Sequence, residues 1–171
     1  MDFEADEFTH DNLKRIAQHL TAQEGHKLGF ILSGYCGSGK TTAIRAMQTA
    51  VTYLNDRDFF EDDTVGIVIY PAQDIANIAK QDYKKFSEIC RTPILAIDDL
   101  GSEPTEINDF GSQRSPIAEL IECRYNNQLA TYITTNVKPA KLKERYKERI
   151  SDRFREMLDQ IKFSNENSYR K

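Results

Sequence analysis

A parallel α/β sheet covered by helices on both faces is the fold this sequence predicts, and three observations carry it. Near-continuous apolar runs at 28–32, 65–70, 93–97 and 130–135 alternate with segments of helical periodicity, the pattern of strands buried on both faces. Polar residues gather just past those runs, at Asp98, Asp99 and Asn136, the edge at which such sheets bind ligands. The first run leads directly into Gly34-Tyr35-Cys36-Gly37-Ser38-Gly39-Lys40-Thr41-Thr42, which fits the phosphate-loop pattern G-x-x-x-x-G-K-[ST] between a strand and a helix.

Taken along the chain, Thr9 is placed to cap a first helix with Leu13, Ile16, Ala17 and Leu20 on one face, broken at Gly25. Residues 1–26 therefore read as an N-terminal helical segment and 27–171 as one domain. Leu28 to Leu32 makes the first strand, and the helix opening at Gly39 runs to about Leu54. Val65 to Tyr70 is the second strand, stopped by Pro71, and Gln73 to Lys80 follows with Ile75, Ile78 and Ala79 at helical spacing. The segment Lys80 to Phe86 interleaves lysines with Tyr83 and Phe86, a composition that suits single-stranded nucleic acid or an ordinary amphipathic helix. Pro93 to Ile97 stops at Asp98-Asp99, Ser115 to Gln128 is helical with Ile117, Leu120, Ile121 and Tyr125 inward, and Ala130 to Thr135 ends before Asn136. Loops are expected at 55–64, with five acidic residues, and at 101–115, rich in Gly, Ser, Pro, Asn and Asp.

A length of 171 residues suits one well-buried core and is short for two. The net charge of −4 is modest, and no run of 18 apolar residues or secretory leader pattern occurs, so a cytoplasmic protein without a membrane span is expected. Cys36, Cys90 and Cys123 have no metal spacing and are expected as reduced thiols. Positive charge collects at 138–171, with 11 Lys and Arg against 6 Asp and Glu. That third either faces phosphates or an acidic neighbour, or is a solvated helix face with partners such as Glu144 and Glu148.

The chemistry implied is that of a bound nucleoside triphosphate. Main-chain N–H groups from Gly34 through Gly39 curl around the α- and β-phosphates, Lys40 reaches the β/γ oxygens, and the Thr41 hydroxyl, with Thr42 beside it, faces Mg²⁺. The helix beginning there adds its positive end. No N-K-x-D motif occurs, so ATP and ADP rather than guanine nucleotides are expected. Asp98 is the acidic partner that holds the Mg²⁺, and Asp99 orients or deprotonates the attacking water. Asn136 either brings an amide to the γ-phosphate or serves as a turn residue before Pro139. Arg149 and Arg153, four residues apart, share a helical face. One such arginine suits a γ-phosphate contact to a neighbouring subunit; the alternative is an ion pair with Asp152 or Glu156. A strand that intervenes in sequence between the phosphate loop and Asp98 fits the additional-strand ATPases better than nucleotide kinases or GTPases.

Together these motifs resemble the AAA+ ATPases of the DnaC-type helicase-loader and IstB-type transposition-helper family, from about Phe30 to Arg170. Gly34 to Thr42 looks like Walker A, Leu95 to Glu103 like Walker B with its Asp-Leu-Gly-x-Glu extension, and Thr134-Thr135-Asn136 like sensor 1. Arg124-Tyr125, Arg149 to Arg153 and Ser168-Tyr169-Arg170 complete the likeness. The resemblance implies a five-stranded parallel sheet and ATP-dependent self-association. It also implies Arg153 as arginine finger, Arg149 as a second interface arginine, and Arg170 as a sensor 2 residue touching nucleotide within its own chain. Single-stranded DNA and a replicative helicase are the implied partners, in replication initiation; a transposase with duplex DNA is the alternative. Walker B ends here in Asp-Asp where most AAA+ proteins have Asp-Glu, which implies slow hydrolysis. A nucleotide-gated module with little hydrolysis is the further alternative.

Overall fold

A computed structural model describes residues 7–21, 27–57, 66–109 and 111–163. Five strands form one wholly parallel sheet: β1 (Gly29–Ser33), β2 (Val68–Pro71), β3 (Ile94–Leu100), β6 (Ala130–Thr135) and β7 (Leu158–Lys162). Their order is β2-β3-β6-β1-β7. β4 (Ile107–Asp109) and β5 (Ser112–Arg114) make a separate antiparallel hairpin. The helices are α1 (Glu7–Thr21), α2 (Lys40–Asn55), α3 (Ala72–Gln81), α4 (Tyr83–Arg91), α5 (Pro116–Asn126) and α6 (Pro139–Met157). None of them is long and apolar enough to cross a membrane.

Alternating strand residues feed two cores, as the apolar runs require. Phe30, Leu32 and Tyr132 pack with Ile44, Met47 and Val51 of α2. Ile31, Ile97 and Ile133 face the other way, against residues of α3, α5 and α6. Gly29 is needed where β1 meets β6, because a Cβ there would lie 1.8 Å from Thr131 O.

Several expectations change. The fifth strand, β7, has no apolar run, because an edge strand reads Leu158-Asp159-Gln160-Ile161-Lys162 with alternate residues exposed. β2, which intervenes in sequence, takes the opposite edge and starts at Val68 rather than Val65; β6 is the strand that separates β1 from β3. The 101–115 loop contains the β4–β5 hairpin. Thr9 lies inside α1, not at its cap; among the described side chains of α1, Asn12 and Ile16 are buried and Leu13 and Ala17 exposed, while the Leu20 side chain lies outside the described ones. The cause is what α1 covers. Asn12 Nδ2 and Arg15 Nη2 donate to the Lys162 and Gln160 carbonyls at 2.9 and 3.2 Å, and His19 pairs with Asp159 at 3.1 Å, so polar groups close an edge that would otherwise offer open pairing sites.

Lys80 lies in the last turn of α3, and Tyr83 to Phe86 open the amphipathic helix α4: Asp82 caps it by accepting Lys85 N–H at 2.9 Å, Phe86 is buried and Tyr83 is exposed. On α5, Arg124 rather than Tyr125 takes the innermost position, with no exposed surface. Its guanidinium donates to the carbonyls of Cys90 (3.2 Å), Thr92 (2.8 Å) and Ala130 (2.5 Å) and to Thr131 Oγ1 (2.8 Å). Burial pulls its pKa down to about 10, which leaves it charged at neutral pH. α6 breaks at Lys147, where φ is 63° and ψ 170°. Beneath it lies a cavity of about 270 Å³ bordered by Ile31, Leu142 and Phe154. Ser151, also on that wall, has a buried Oγ with no hydrogen-bond partner.

Candidate nucleotide-binding site

The C-terminal ends of β1, β6 and β3 lie side by side, and each delivers polar groups to one cleft of about 620 Å³. From β1 the chain enters the phosphate loop, where Gly37 and Gly39 take φ of 82° and 89°, a left-handed conformation that favours glycine. Gly39 opens α2, so the helix N-terminus faces the cleft.

Lys40 is nearly buried, at 6% exposure. Its Nζ donates to Gly34 O (2.9 Å), Tyr35 O (2.7 Å), Ser38 Oγ (3.2 Å) and Asn136 Oδ1 (2.8 Å). Burial lowers its pKa, opposed by Cys36, Asp99 and Asp98. A cation with fixed neighbours at the loop is the arrangement phosphate binding needs.

On β3 the register to β6 breaks between Ile97 and Leu100, which pair with Ile133 and Thr135. Asp98 and Asp99 therefore oppose the single residue Thr134, a bulge that re-aims side chains. Asp99 takes φ of 56°. Thr134 Oγ1 donates to Asp98 Oδ1 at 2.6 Å and accepts Asp99 N–H at 2.8 Å. From α2, Thr41 Oγ1 donates to the same Asp98 oxygen at 2.9 Å. A hydroxyl and a carboxylate oxygen in contact beside a phosphate loop are hard donors of the kind Mg²⁺ takes with nucleotide phosphates and water, so the residues fit that ion. Asn136 Nδ2 donates to Asp99 Oδ1 at 2.7 Å.

The cleft also has an apolar wall, formed by Leu13 of α1, Ala46 of α2 and Phe163 just beyond β7. The sequence places Leu13 only on one face of α1 and gives Phe163 no role; the two are 150 positions apart, and nothing local links them. Arg149 and Arg153 do not border the cleft. Arg149 Nε pairs with Glu122 at 2.7 Å, while Arg153 pairs with Glu156 at 3.3 Å and lies 3.9 Å over the Tyr125 ring. Within one chain, then, Arg153 makes the ion pair named as its alternative, and Arg149 finds Glu122 instead of Asp152. Arg170 lies outside the described residues. Cys36 is exposed at the cleft, Cys90 is buried, and none of the three cysteines is joined in a disulfide.

A strand inserted between the phosphate-loop strand and the acidic strand sets the additional-strand class, which includes the AAA+ folds, apart among P-loop folds, and β6 is that strand. The chain has a P-loop fold of this class. It is similar to the crystal structure of the DnaC helicase loader, at 23% identity and a TM-score of 0.73, over 95% of this chain and 94% of that one. It is also similar to DnaI, at 21% and 0.71 over 96% of this chain and 88% of that one. A third likeness is to AMPPCP-bound DnaA from Aquifex aeolicus, at 18% and 0.69 over 98% of this chain and 50% of that one. No family model and no curated protein sequence matches. The fold is that of the DnaC-type AAA+ ATPase domain.

Proposed function

We propose that the protein is an ATP-driven switch of the replication-initiation kind, a helicase loader that binds ATP, self-associates and engages single-stranded DNA. The observation that carries this reading is the continuous polar chain Lys40–Asn136–Asp99, with Thr41 and Thr134 converging on Asp98. Lys40 and the loop amides bind the phosphates, and the purine lies against Leu13, Ala46 and Phe163. Asp98 and Thr41 would hold Mg²⁺, which would supply positive charge beside the phosphates. Asn136 keeps the Asp99 carboxylate in place. Asp99 takes the proton of the water that attacks the γ-phosphorus, and ADP leaves.

Among the described residues no guanidinium borders the cleft of one copy, and Arg153 of a neighbouring copy supplies one, exchanging Glu156 for a γ-phosphate. The test is turnover per subunit measured against protein concentration, for the native chain and Arg153→Ala, with single-stranded or duplex DNA added. Turnover that climbs with concentration, falls with the substitution and responds to single strands supports the reading. Concentration-independent turnover that the substitution leaves alone rejects the trans arginine, and a duplex preference favours the transposition-helper role.

A further inference from the structure

The turn carrying Asp98 and Asp99 is tied to α6 by one buried carboxylate outside the cleft. Glu103 is 2% exposed. Its Oε2 accepts Gly101 N–H at 2.8 Å, its Oε1 accepts the Tyr146 hydroxyl and faces Arg145 Nη2 at 3.5 Å, and Arg145 also donates to its main-chain oxygen. Burial, with the Glu103 charge second, pushes the Tyr146 hydroxyl far above the usual tyrosine range, so it remains a donor.

The turn itself has little slack. Leu100 O accepts Thr135 Oγ1 at 2.7 Å. Gly101, at φ 101°, backs so closely on Val137 that a Cβ would lie 2.4 Å from its Cγ2. A displacement of the Asp98–Asp99 segment is therefore passed to Glu103 and not absorbed locally.

On the far side, Arg145 and Tyr146 immediately precede Lys147, whose φ of 63° breaks α6, and the half-helix beyond carries Arg149 and Arg153. Both halves border the cavity of about 270 Å³, and the second half places there the unpartnered Ser151 hydroxyl. If stability alone were served here, an apolar residue would do as well as a buried ionic cluster.

We infer that Glu103 is a positioning residue that couples the Asp98–Asp99 turn to α6, so that the state of the nucleotide site sets where Arg149 and Arg153 stand. The inference rests on the ATPase reading above. Its test is hydrogen exchange of the full chain with and without Mg-ATP, together with nucleotide affinity and turnover, for the native protein, Glu103→Gln and Tyr146→Phe.

In the native protein, Mg-ATP alters exchange both at the phosphate loop and at 145–155. In Glu103→Gln the loop still responds and ATP affinity stays within about twofold, but 145–155 no longer responds and turnover falls about tenfold. Tyr146→Phe, which removes one donor and keeps the carboxylate, gives an intermediate loss. A native 145–155 segment that ignores Mg-ATP while the loop responds overturns the coupling. So does a Gln variant that behaves as native, or one whose exchange rises evenly across the whole sheet. A native protein without Mg-ATP affinity rejects the ATPase reading first, and the coupling with it.

Discussion

Lys40 and Asp99 are joined by a single amide, that of Asn136, whose Oδ1 receives the ammonium at 2.8 Å and whose Nδ2 donates to the carboxylate at 2.7 Å. The amide has only one workable orientation, because lysine can only donate and a carboxylate can only accept. Asn136→Asp puts a second carboxylate against Asp99, and Asn136→Ala removes the link. Each is expected to lower ATP turnover about 100-fold while changing ATP affinity only a few-fold. Single-turnover phosphate release beside calorimetric affinity separates the two quantities. Equal losses in both would show that Asn136 merely holds nucleotide.

In the proposed reading, phosphate binding depends on Lys40. Lys40→Ala deletes a buried cation, and charge-assisted hydrogen bonds of this sort are worth about 1.5–3 kcal/mol, so ATP affinity is expected to fall about 10- to 100-fold. Asp98→Asn should retain affinity in the absence of divalent ion and lose most of the gain that Mg²⁺ brings.

The pH dependence follows from the lowered pKa of Lys40. The free folded protein surrenders this proton before an ordinary lysine does, and bound phosphates require it. ATP affinity is therefore expected to decline on the alkaline side from below the usual lysine value of 10.5, with proton uptake on binding in that window. Stability has the opposite sign. Between the lowered pKa and the unfolded one, the unfolded chain holds more protons, so this group's contribution to stability rises with pH. Calorimetry in buffers of different ionisation enthalpy measures the uptake. Absence of uptake on the alkaline side, below the ordinary lysine value of 10.5, would contradict the assignment.

Thiol chemistry should divide the cysteines by position. Cys36 is exposed beside the phosphate cleft, whereas Cys90 is buried and, chiefly through that burial, has its pKa pushed up to about 12. Iodoacetamide is expected to modify Cys36 first, to be slowed there by Mg-ATP, and to reach Cys90 only on unfolding. Peptide mass spectrometry over a time course reads all three sites.

Arg124 predicts a stability effect with no direct role in catalysis. It fastens the start of β3, the start of β6 and the end of α4 through carbonyl acceptors. Arg124→Met strands those buried acceptors, at about 1–3 kcal/mol each where no water replaces the donor. A loss of about 3–5 kcal/mol in urea unfolding is expected, with ATP affinity of the remaining folded protein unchanged. Arg124→Lys should rescue little, since an ammonium cannot span the same fork.

The legible parts of this chain are those in which one residue pattern has one physical cause. Core strands of a parallel sheet must be apolar on both faces, so β1, β3 and β6 stand out as runs, and Gly34, Gly39, Lys40 and Thr41 have the spacing of phosphate binding. The remainder depended on contacts distant in sequence. β7 is half polar because it is an edge, and α1 buries Asn12 because that edge needs donors. The bulge at Asp98-Asp99 arises from register against Thr134, which neither strand states alone. Arg124 breaks the rule that charges stay outside, and its justification lies in carbonyls 31 to 34 positions earlier and 6 positions later. The pairing of Arg149 with Glu122 has the same character.

One helix performs two duties at the rim of the sheet. The side of α1 that supplies Asn12 and Arg15 seals β7, and Leu13 of the same turns borders the cleft. Fraying of α1 would thus bare a sticky strand and loosen the proposed purine seat in one event. Nucleotide retention and resistance to clumping should then rise and fall together, and a stock kept with ATP would owe its clarity to the same few residues that grip the ligand.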